Sequence, residues 1–346
     1  MSRLEYPPRL ELAQLPTPLQ LLERASARWG CGKRIWIKRD DLTGATLTGN
    51  KVRKLEFIAA FALANQYDVL VTCGGVQSNH CRATALVAAQ LGMRSHLVLR
   101  ADGESQTGNF LLDQLAGAAV EIFEGDAWGQ NLKSAYARIE REYEEAGLKA
   151  LMIPTGGSDS LGIWGYIAGA EELGADLKNQ GVEHAAVVLA TGSAGTQTGL
   201  TAGAALHELP IAVTGYAVCD DAEWFNARVQ SDWRRSVARW AQLPDIALSP
   251  ATRDHSVGPG YGKATPEVYR TIVELTRLEG IVLDPVYTGK AFHGLIEDLG
   301  AGEYADQRDI VFVHTGGVFG LFSHEQELLR EAGQLERVDS GSCQKG

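Results

Sequence analysis

Several short stretches place reactive side chains beside loops able to hold an anion. In Thr48-Gly-Asn-Lys51 a lysine opens a helix directly after a Gly-rich loop, and Arg53 and Lys54 follow. Crowding by cations and by the positive end of a helix disfavours the ammonium form, leaving more free amine to act as nucleophile or base. A solvated surface lysine is the competing reading. The apolar run 186–190 leads into Thr191-Gly-Ser-Ala-Gly-Thr-Gln-Thr-Gly199. A strand entering small residues and then a helix points several N–H groups at one spot, where the helix dipole favours a phosphate. The spacing is neither G-x-x-x-x-G-K-[ST] nor G-x-G-x-x-G, and glycines needed only for a tight turn would look the same.

A second turn of this kind, Gly74-Gly-Val-Gln-Ser-Asn-His80, follows an apolar run at 69–73. Ser78 and Asn79 are good helix caps, and the amides they leave free suit a carboxylate; capping alone explains them equally well. Tyr261 in Gly258-Pro-Gly-Tyr-Gly262 and Tyr287 in Asp284-Pro-Val-Tyr-Thr-Gly289 can move a proton, stack on a flat ring or simply pack. His314-Thr-Gly-Gly317 ends an apolar run, which puts Thr315 at the carboxyl edge of a sheet, where ligands of open α/β folds bind.

Short apolar runs alternate with longer amphipathic stretches, the pattern of a parallel sheet with crossover helices. Strands are expected at 69–73, 96–99, 120–123, 151–154, 186–190, 211–218 and 310–314. Helices are expected near 51–66, 80–92, 129–147, 161–174, 197–207, 265–279 and 288–299. Two regions interrupt this rhythm: 1–48, and 221–263 with Trp224, Trp233 and Trp240, which could be a helical face packed on the body or a subunit interface. With no linker visible, two closely apposed α/β lobes are expected, with a ligand in the cleft between them.

Composition narrows the setting. The 346 residues are 45% hydrophobic and carry a net charge of −11, which suits about two domains with substantial cores and disfavours nucleic acid and acidic lipid surfaces. Arg3, Glu5, Arg9 and Glu11 interrupt the first 20 residues, so no signal peptide or membrane span is expected and the chain reads as cytoplasmic. The five cysteines, at 31, 73, 81, 219 and 343, form no C-x-x-C pair; they suggest neither disulfides nor a metal site and read as reduced and buried. The 39 glycines gather at 44–49, 74–75, 156–157, 192–199, 258–262 and 316–317, which reads as turns at strand ends around one ligand.

Together, Lys38-Arg-Asp-Asp41, Gly49-Asn-Lys-Val-Arg-Lys-Leu-Glu56, Gln77-Ser-Asn-His80, the 191–199 loop, Asp284-Pro-Val-Tyr-Thr-Gly-Lys290 and His314-Thr-Gly-Gly317 resemble the D-cysteine desulfhydrase and 1-aminocyclopropane-1-carboxylate deaminase family. The resemblance runs in order from Pro16-Thr-Pro-Leu19 to Phe322. It implies a pyridoxal-phosphate enzyme of the tryptophan-synthase β-subunit fold (fold type II): two open twisted parallel-sheet lobes with helices on both faces, the cofactor in the cleft. The small lobe, 48–162, would be inserted into a large lobe made of 1–47 and 163–346. It further implies that Lys51 holds the cofactor as a Schiff base and takes the Cα proton, and that the backbone of Ser193, Ala194, Gly195 and Thr196 cradles the phosphate. Asn50 and Asn79 would neighbour the ring and Tyr287 would stack beside it. Ser78, Asn79 and His80 would hold the substrate carboxylate, and Tyr261 and Tyr287 would steer protons to the leaving group. A homodimer is expected from the family.

Within that resemblance, the deaminase branch carries Glu and Leu where Thr288 and Thr315 stand. A Glu beside the pyridine nitrogen suits ring opening, and a Thr hydroxyl a milder β-elimination. With His80 in place of Gln, the pattern favours D-cysteine desulfhydrase, a lyase releasing pyruvate, hydrogen sulfide and ammonia. Thr48, Lys263 and Val318-Phe319-Gly320 depart from the family pattern. Lys263 could pair with an acidic Cβ group, which keeps L-cysteate sulfo-lyase open beside the deaminase; a plain surface lysine is the other reading. A phosphate-ligand-binding protein without turnover is the alternative outside the enzymes.

Overall fold

The computed structural model describes residues 4–101, 107–125 and 127–342. Its strands are β1 (Leu19–Leu21), β2 (Arg34–Lys38), β3 (Val69–Gly75), β4 (Arg94–Ala101), β5 (Ala119–Glu124), β6 (Ala150–Met152), β7 (Ala185–Thr191), β8 (Ile211–Ala217), β9 (Ala251–Arg253) and β10 (Asp309–Val313). The helices are α1 (Glu23–Trp29), α2 (Asn50–Ala64), α3 (Asn79–Gln90), α4 (Asn109–Leu115), α5 (Ala127–Glu145), α6 (Trp164–Asn179), α7 (Gly195–Leu206), α8 (Ala222–Arg239), α9 (Pro266–Glu279), α10 (Thr288–Gly300), α11 (Val318–Leu321) and α12 (Glu325–Ser342). Two sheets result, one of six strands in the order β1-β2-β10-β7-β8-β9 and one of four in the order β5-β4-β3-β6. The smaller sheet is parallel throughout. The larger is parallel except that β1 runs antiparallel to β2, a departure from the all-parallel expectation at the edge of the sheet.

The central strands read as unbroken apolar runs because both faces are covered. In β7, Ala186, Val188 and Ala190 face one core while Ala185, Val187 and Leu189 face another. β10 divides the same way, with Ile310 and Phe312 on one face and Val311 and Val313 on the other. Each fully buried Val or Leu stabilises the fold by roughly 1.5–3 kcal/mol, so these layers hold strand ends rigidly beneath the loops that follow them.

Every expected strand and helix is present, with boundaries displaced by at most five residues. Missing from the expectation were β1, β2, β9 and five helices, α1, α4, α8, α11 and α12. The stretch 221–263 is no interruption: Asp221 caps α8 by accepting a hydrogen bond from the Trp224 amide (2.7 Å). Nine residues of helix put Trp224 and Trp233 on opposite faces. Trp233 is accordingly buried and Trp224 exposed, while Trp240 packs edge-on against Trp164 at 5.8 Å. The cysteines also correct the sequence reading. Cys73 and Cys81 are buried, but Cys31 is exposed and Cys219 half-buried; Cys343 lies outside the described residues. Among the described residues no helix is long and apolar enough to cross a membrane.

Candidate active site

A cleft of about 340 Å³ lies at the carboxyl ends of β3, β7 and β10, and the stretches singled out from the sequence converge on it. Lys51 stands in the first turn of α2. Gly49 before it has φ +100°, and a Cβ there would lie 2.7 Å from the Thr315 carbonyl, so only glycine lets the start of α2 meet the loop after β10. The Asn50 amide donates to that same carbonyl (3.1 Å). The Lys51 amine reaches Gly156, where an added Cβ would come within 3.1 Å of Nζ and collide with Ser193 Oγ. Burial lowers the Lys51 pKa to about 8. Burial, rather than the adjacent cations, is therefore the cause. Arg53 points away from Lys51 into ion pairs with Asp40 and Glu172. Lys54 Nζ is fully buried, donating to Gly156 O (3.1 Å) and Ser158 Oγ (3.2 Å). Burial first, and the Lys51 charge second, hold it well below the usual lysine range.

Opposite Lys51, Ala194 adopts φ +65°, a left-handed turn that gathers successive N–H groups into a concave nest. Among the described residues the amides of Ser193, Ala194 and Thr196 donate to no protein group. Free amides at the start of the twelve-residue α7 are the donor set a phosphate monoester requires. Gly195 corrects the expectation. It does not line the cleft, and its amide donates to Ser158 Oγ (3.2 Å). A Cβ on it would lie 2.7 Å from Lys54 Nζ, so this glycine serves the layer beneath the loop.

Ser78 caps α3 by accepting from the Cys81 amide (3.2 Å), and it also lines the cleft with its hydroxyl proton still to give. The expectation left capping and ligand binding as alternatives; this geometry allows both. Among the described residues the Asn79 and His80 amides make no bond to protein, leaving a helix start suited to a carboxylate. The His80 ring is less suited. Thr72 Oγ1 donates to Ile153 O (3.1 Å), so at its 2.9 Å contact with His80 it must accept, which places the imidazole proton on Nε2. Burial, then Lys51 and Lys54, hold His80 well below its ordinary pKa, so the ring is neutral and its buried Nδ1, an acceptor, has no protein partner. Of His80, the amide rather than the ring fits a carboxylate.

The Tyr261 and Tyr287 hydroxyls hydrogen-bond each other, with ring centroids 5.9 Å apart. Burial pushes Tyr287 well above the usual phenol range, and the neighbouring phenol adds to it. Lys290 fixes the Tyr261 loop by donating to Val218 O (3.2 Å), Val257 O (2.7 Å) and Gly260 O (2.7 Å). Thr315 lines the cleft, but Thr288 does not. The Thr288 hydroxyl donates to Asp284 Oδ1 (2.7 Å) and accepts from the Asp284 amide (2.9 Å), because Asp284 gathers the amides of Val286, Tyr287 and Thr288 into the cap of α10. Lys263 also falls outside the cleft, lining an adjoining cavity of about 830 Å³ that shares Gly75 and Tyr261 with it. Besides Lys51, the cleft is lined by Arg100, whose guanidinium lies 5.4 Å from the Tyr261 ring centre.

Sequence reasoning missed Arg100, Trp128, Cys219 and Asp220 at the cleft, and Lys54 and Arg82 behind it. A signal existed for the last two, since each stands three residues after a singled-out neighbour, Lys51 and Asn79, on the same helix face.

The pattern of the pyridoxal-phosphate dependent enzymes matches residues 10–316, and this chain belongs to that family. It is 36% identical, over 95% of this chain and 82% of the relative, to an Arabidopsis thaliana protein named bifunctional D-cysteine desulfhydrase/1-aminocyclopropane-1-carboxylate deaminase, mitochondrial. A D-cysteine desulfhydrase of Klebsiella pneumoniae is 40% identical over 93% of this chain and 97% of its own. A solved ACC deaminase homologue superposes with a TM-score of 0.85 at 36% identity, covering 94% of this chain and 96% of the other. The fold is thus that of fold type II pyridoxal-phosphate enzymes, and the donor sets described above fit the cofactor's phosphate and aldehyde.

Proposed function

We propose that this chain catalyses β-elimination on a small amino acid, D-cysteine first, yielding pyruvate, hydrogen sulfide and ammonia. The observation that carries the reading is the meeting of the Lys51 amine, the nest of free amides and the Tyr261–Tyr287 pair in one cleft. Lys51 would attach the cofactor, the amides of Ser193, Ala194 and Thr196 would hold its phosphate, and Asn50, Asn79, Tyr287 and Thr315 would surround its ring. The Ser78 hydroxyl and the Asn79 and His80 amides would hold the substrate carboxylate. The small lobe is read as 48–162 and the large lobe as 1–47 with 163–346; the enzyme is read as a cytoplasmic homodimer, which sedimentation of the purified chain tests for assembly.

Pyridoxal phosphate, when bound, supplies an electron sink for bonds broken at Cα. Lys51, kept partly as free amine by burial, takes the Cα proton. The Tyr261–Tyr287 pair, whose hydroxyls hydrogen-bond each other within the cleft, supplies the proton for the departing sulfur. A proton thus leaves Cα and HS⁻ leaves Cβ, to be protonated by tyrosine; water then converts the remaining enamine to pyruvate and ammonia.

Tyr287→Phe is expected to lower kcat by about 10²- to 10⁴-fold, the usual contribution of a placed proton donor, with KM changed far less. A kcat within threefold of wild type would remove Tyr287 from proton transfer. The Lys51 pKa of about 8 sets a pH dependence. Below it the ammonium predominates and above it the amine. Uptake of pyridoxal phosphate by the apoprotein, followed by visible absorbance, should therefore accelerate with pH and level off above about 8. A rate that is flat between pH 6 and 9 would contradict this.

The Arabidopsis relative, named for both activities, supports 1-aminocyclopropane-1-carboxylate deamination as a second reading. Since Thr288 does not reach the cleft, the branch argument now rests on Thr315; since Lys263 does not either, it lends L-cysteate no support. A panel of D-cysteine, L-cysteine, L-cysteate, D-serine, β-chloro-D-alanine and 1-aminocyclopropane-1-carboxylate, scored for pyruvate, sulfide and 2-oxobutyrate, decides. Sulfide with pyruvate from D-cysteine supports the choice, and 2-oxobutyrate from the cyclopropane overturns it. A protein that stays colourless with added pyridoxal phosphate would instead favour the non-catalytic phosphate-binding reading.

A further inference from the structure

Behind the cleft, one buried cation decides which way two amide side chains point. Arg82 stands one turn into α3 and is fully buried, its guanidinium 5.1 Å from the centre of the Phe319 ring. Nη2 donates to the Thr48 carbonyl (2.6 Å), in the loop that leads to Lys51. Nη1 faces two carboxamide oxygens, Asn109 Oδ1 (3.0 Å) and Asn79 Oδ1 (3.3 Å). A guanidinium can only donate, so both oxygens must be turned toward it. Asn109 Nδ2 is thereby directed the other way, to Gln77 O (2.9 Å) and again to Asn79 Oδ1 (3.1 Å). The Asn79 oxygen therefore receives two donors from protein, and both N–H groups of its Nδ2 are left for the cleft that Asn79 lines.

We propose that Arg82 is a positioning residue that locks the Asn79 carboxamide as a donor, with the Asn109 amide following the same orientation, so that the cleft accepts an anionic oxygen opposite it. The inference rests on the cofactor reading above. It adds to that reading the polarity of one contact and the residue that sets it. Two sources share the chemistry: the oxygen on the cofactor ring and the substrate carboxylate. Among the described residues no carboxylate forms a hydrogen bond or ion pair with Arg82. The buried Asp113, which interacts with the Arg82 charge, has neither oxygen hydrogen-bonded, and burial pushes its pKa up to about 8, so at neutral pH it is mostly uncharged. The Arg82 charge thus reaches the cleft through a neutral amide, polarising its N–H groups toward an anion.

Asn109→Asp tests the orientation. The new carboxylate takes the Arg82 donor and cannot donate to Asn79, whose amide is then drawn round to donate to it and presents its oxygen to the cleft. Asn109→Ala is the control, since Arg82 still faces the Asn79 oxygen. With both proteins shown to melt cooperatively, the dissociation constants of pyridoxal phosphate and then of glycine, an amino acid with no leaving group, are read from visible absorbance. Asn109→Asp should weaken one of them about 10- to 100-fold, and Asn109→Ala by less than about threefold. Weakened pyridoxal phosphate identifies the ring oxygen; weakened glycine with cofactor affinity unchanged identifies the carboxylate. Equal effects of the two variants, or no effect beyond threefold, overturn the proposal. Should Asn109→Asp not fold, Arg82→Gln takes its place, because a neutral amide no longer dictates the orientation and the same weakening is expected. Wild-type protein that takes up no cofactor would overturn the functional reading and this inference with it. Wild-type uptake with an unmoved variant overturns the orientation alone.

Discussion

Lys51→Ala is expected to bind pyridoxal phosphate without any borohydride-sensitive chromophore and to turn over more than about 10³-fold more slowly than wild type. The size follows from two losses at one atom, since the same amine is proposed both to attach the cofactor and to take the Cα proton. Cofactor binding should survive, because the Ser193, Ala194 and Thr196 amides and the α7 dipole do not depend on Lys51. The substitution also removes one of the charges that hold Lys54 far below its usual pKa, so Lys54 should regain some basicity without moving from Gly156 O and Ser158 Oγ. Phosphate affinity near wild type with activity lost is the expected pair of results. Activity within tenfold of wild type would remove Lys51 from the mechanism.

The second large effect is on stability. Arg53 donates to Asp40 through Nε (2.9 Å) and Nη2 (2.8 Å), and to Glu172 through Nη1 and Nη2 (2.9 Å each). Lys38 joins Glu172 at 2.6 Å, and the Tyr166 hydroxyl donates to Asp40 at 2.6 Å. Burial alone would raise the carboxyls of Asp40 and Glu172, but the charge and hydrogen bonds of Arg53 bring both below their ordinary values. Arg53→Met leaves Asp40 buried without its cation and should cost about 3–5 kcal/mol, measured by urea unfolding at pH 7. The sign with pH follows from the lowered carboxyl pKa values. Their contribution is present above the ordinary carboxylate range, near pH 4, and is lost as pH falls through the folded values. The gap between wild type and variant should therefore narrow in acid. A cost below 1 kcal/mol at pH 7, or a gap that widens in acid, would sink this account. Because the Gly49 amide donates to Asp40 O (3.2 Å), the variant should also loosen the approach to Lys51 and weaken cofactor binding.

Much of the fold is legible along the chain because β7 and β10 are covered on both faces, which leaves no ambiguity in an apolar run. The short edge strands β1 and β9 carry no such run, and they were invisible. The helix α8 escaped notice for a related reason: its arginines and tryptophans look like a loop until its Trp233 is found packed into the core. At the site, glycine spacing located the loops correctly, but it could not say which side of a loop faces the ligand. Gly195 and Thr288 were both assigned to the cleft and both serve the layer behind it, held by Ser158 and by Asp284.

By itself, then, the sequence determined the parallel α/β lobes, the turns at their strand ends, and Lys51 at the start of a helix, since these follow from periodicity and from residues that bend or cap the backbone. Only the tertiary structure decided that burial lowers the Lys51 pKa to about 8, that the His80 ring is neutral, that Lys263 lines a different cavity, and that Arg82 turns Asn79 toward the cleft. Those properties depend on burial and on hydrogen-bond direction between residues as much as 81 positions apart, such as Thr72 and Ile153. Local spacing does not encode either quantity; both arise when the two sheets come together around the site.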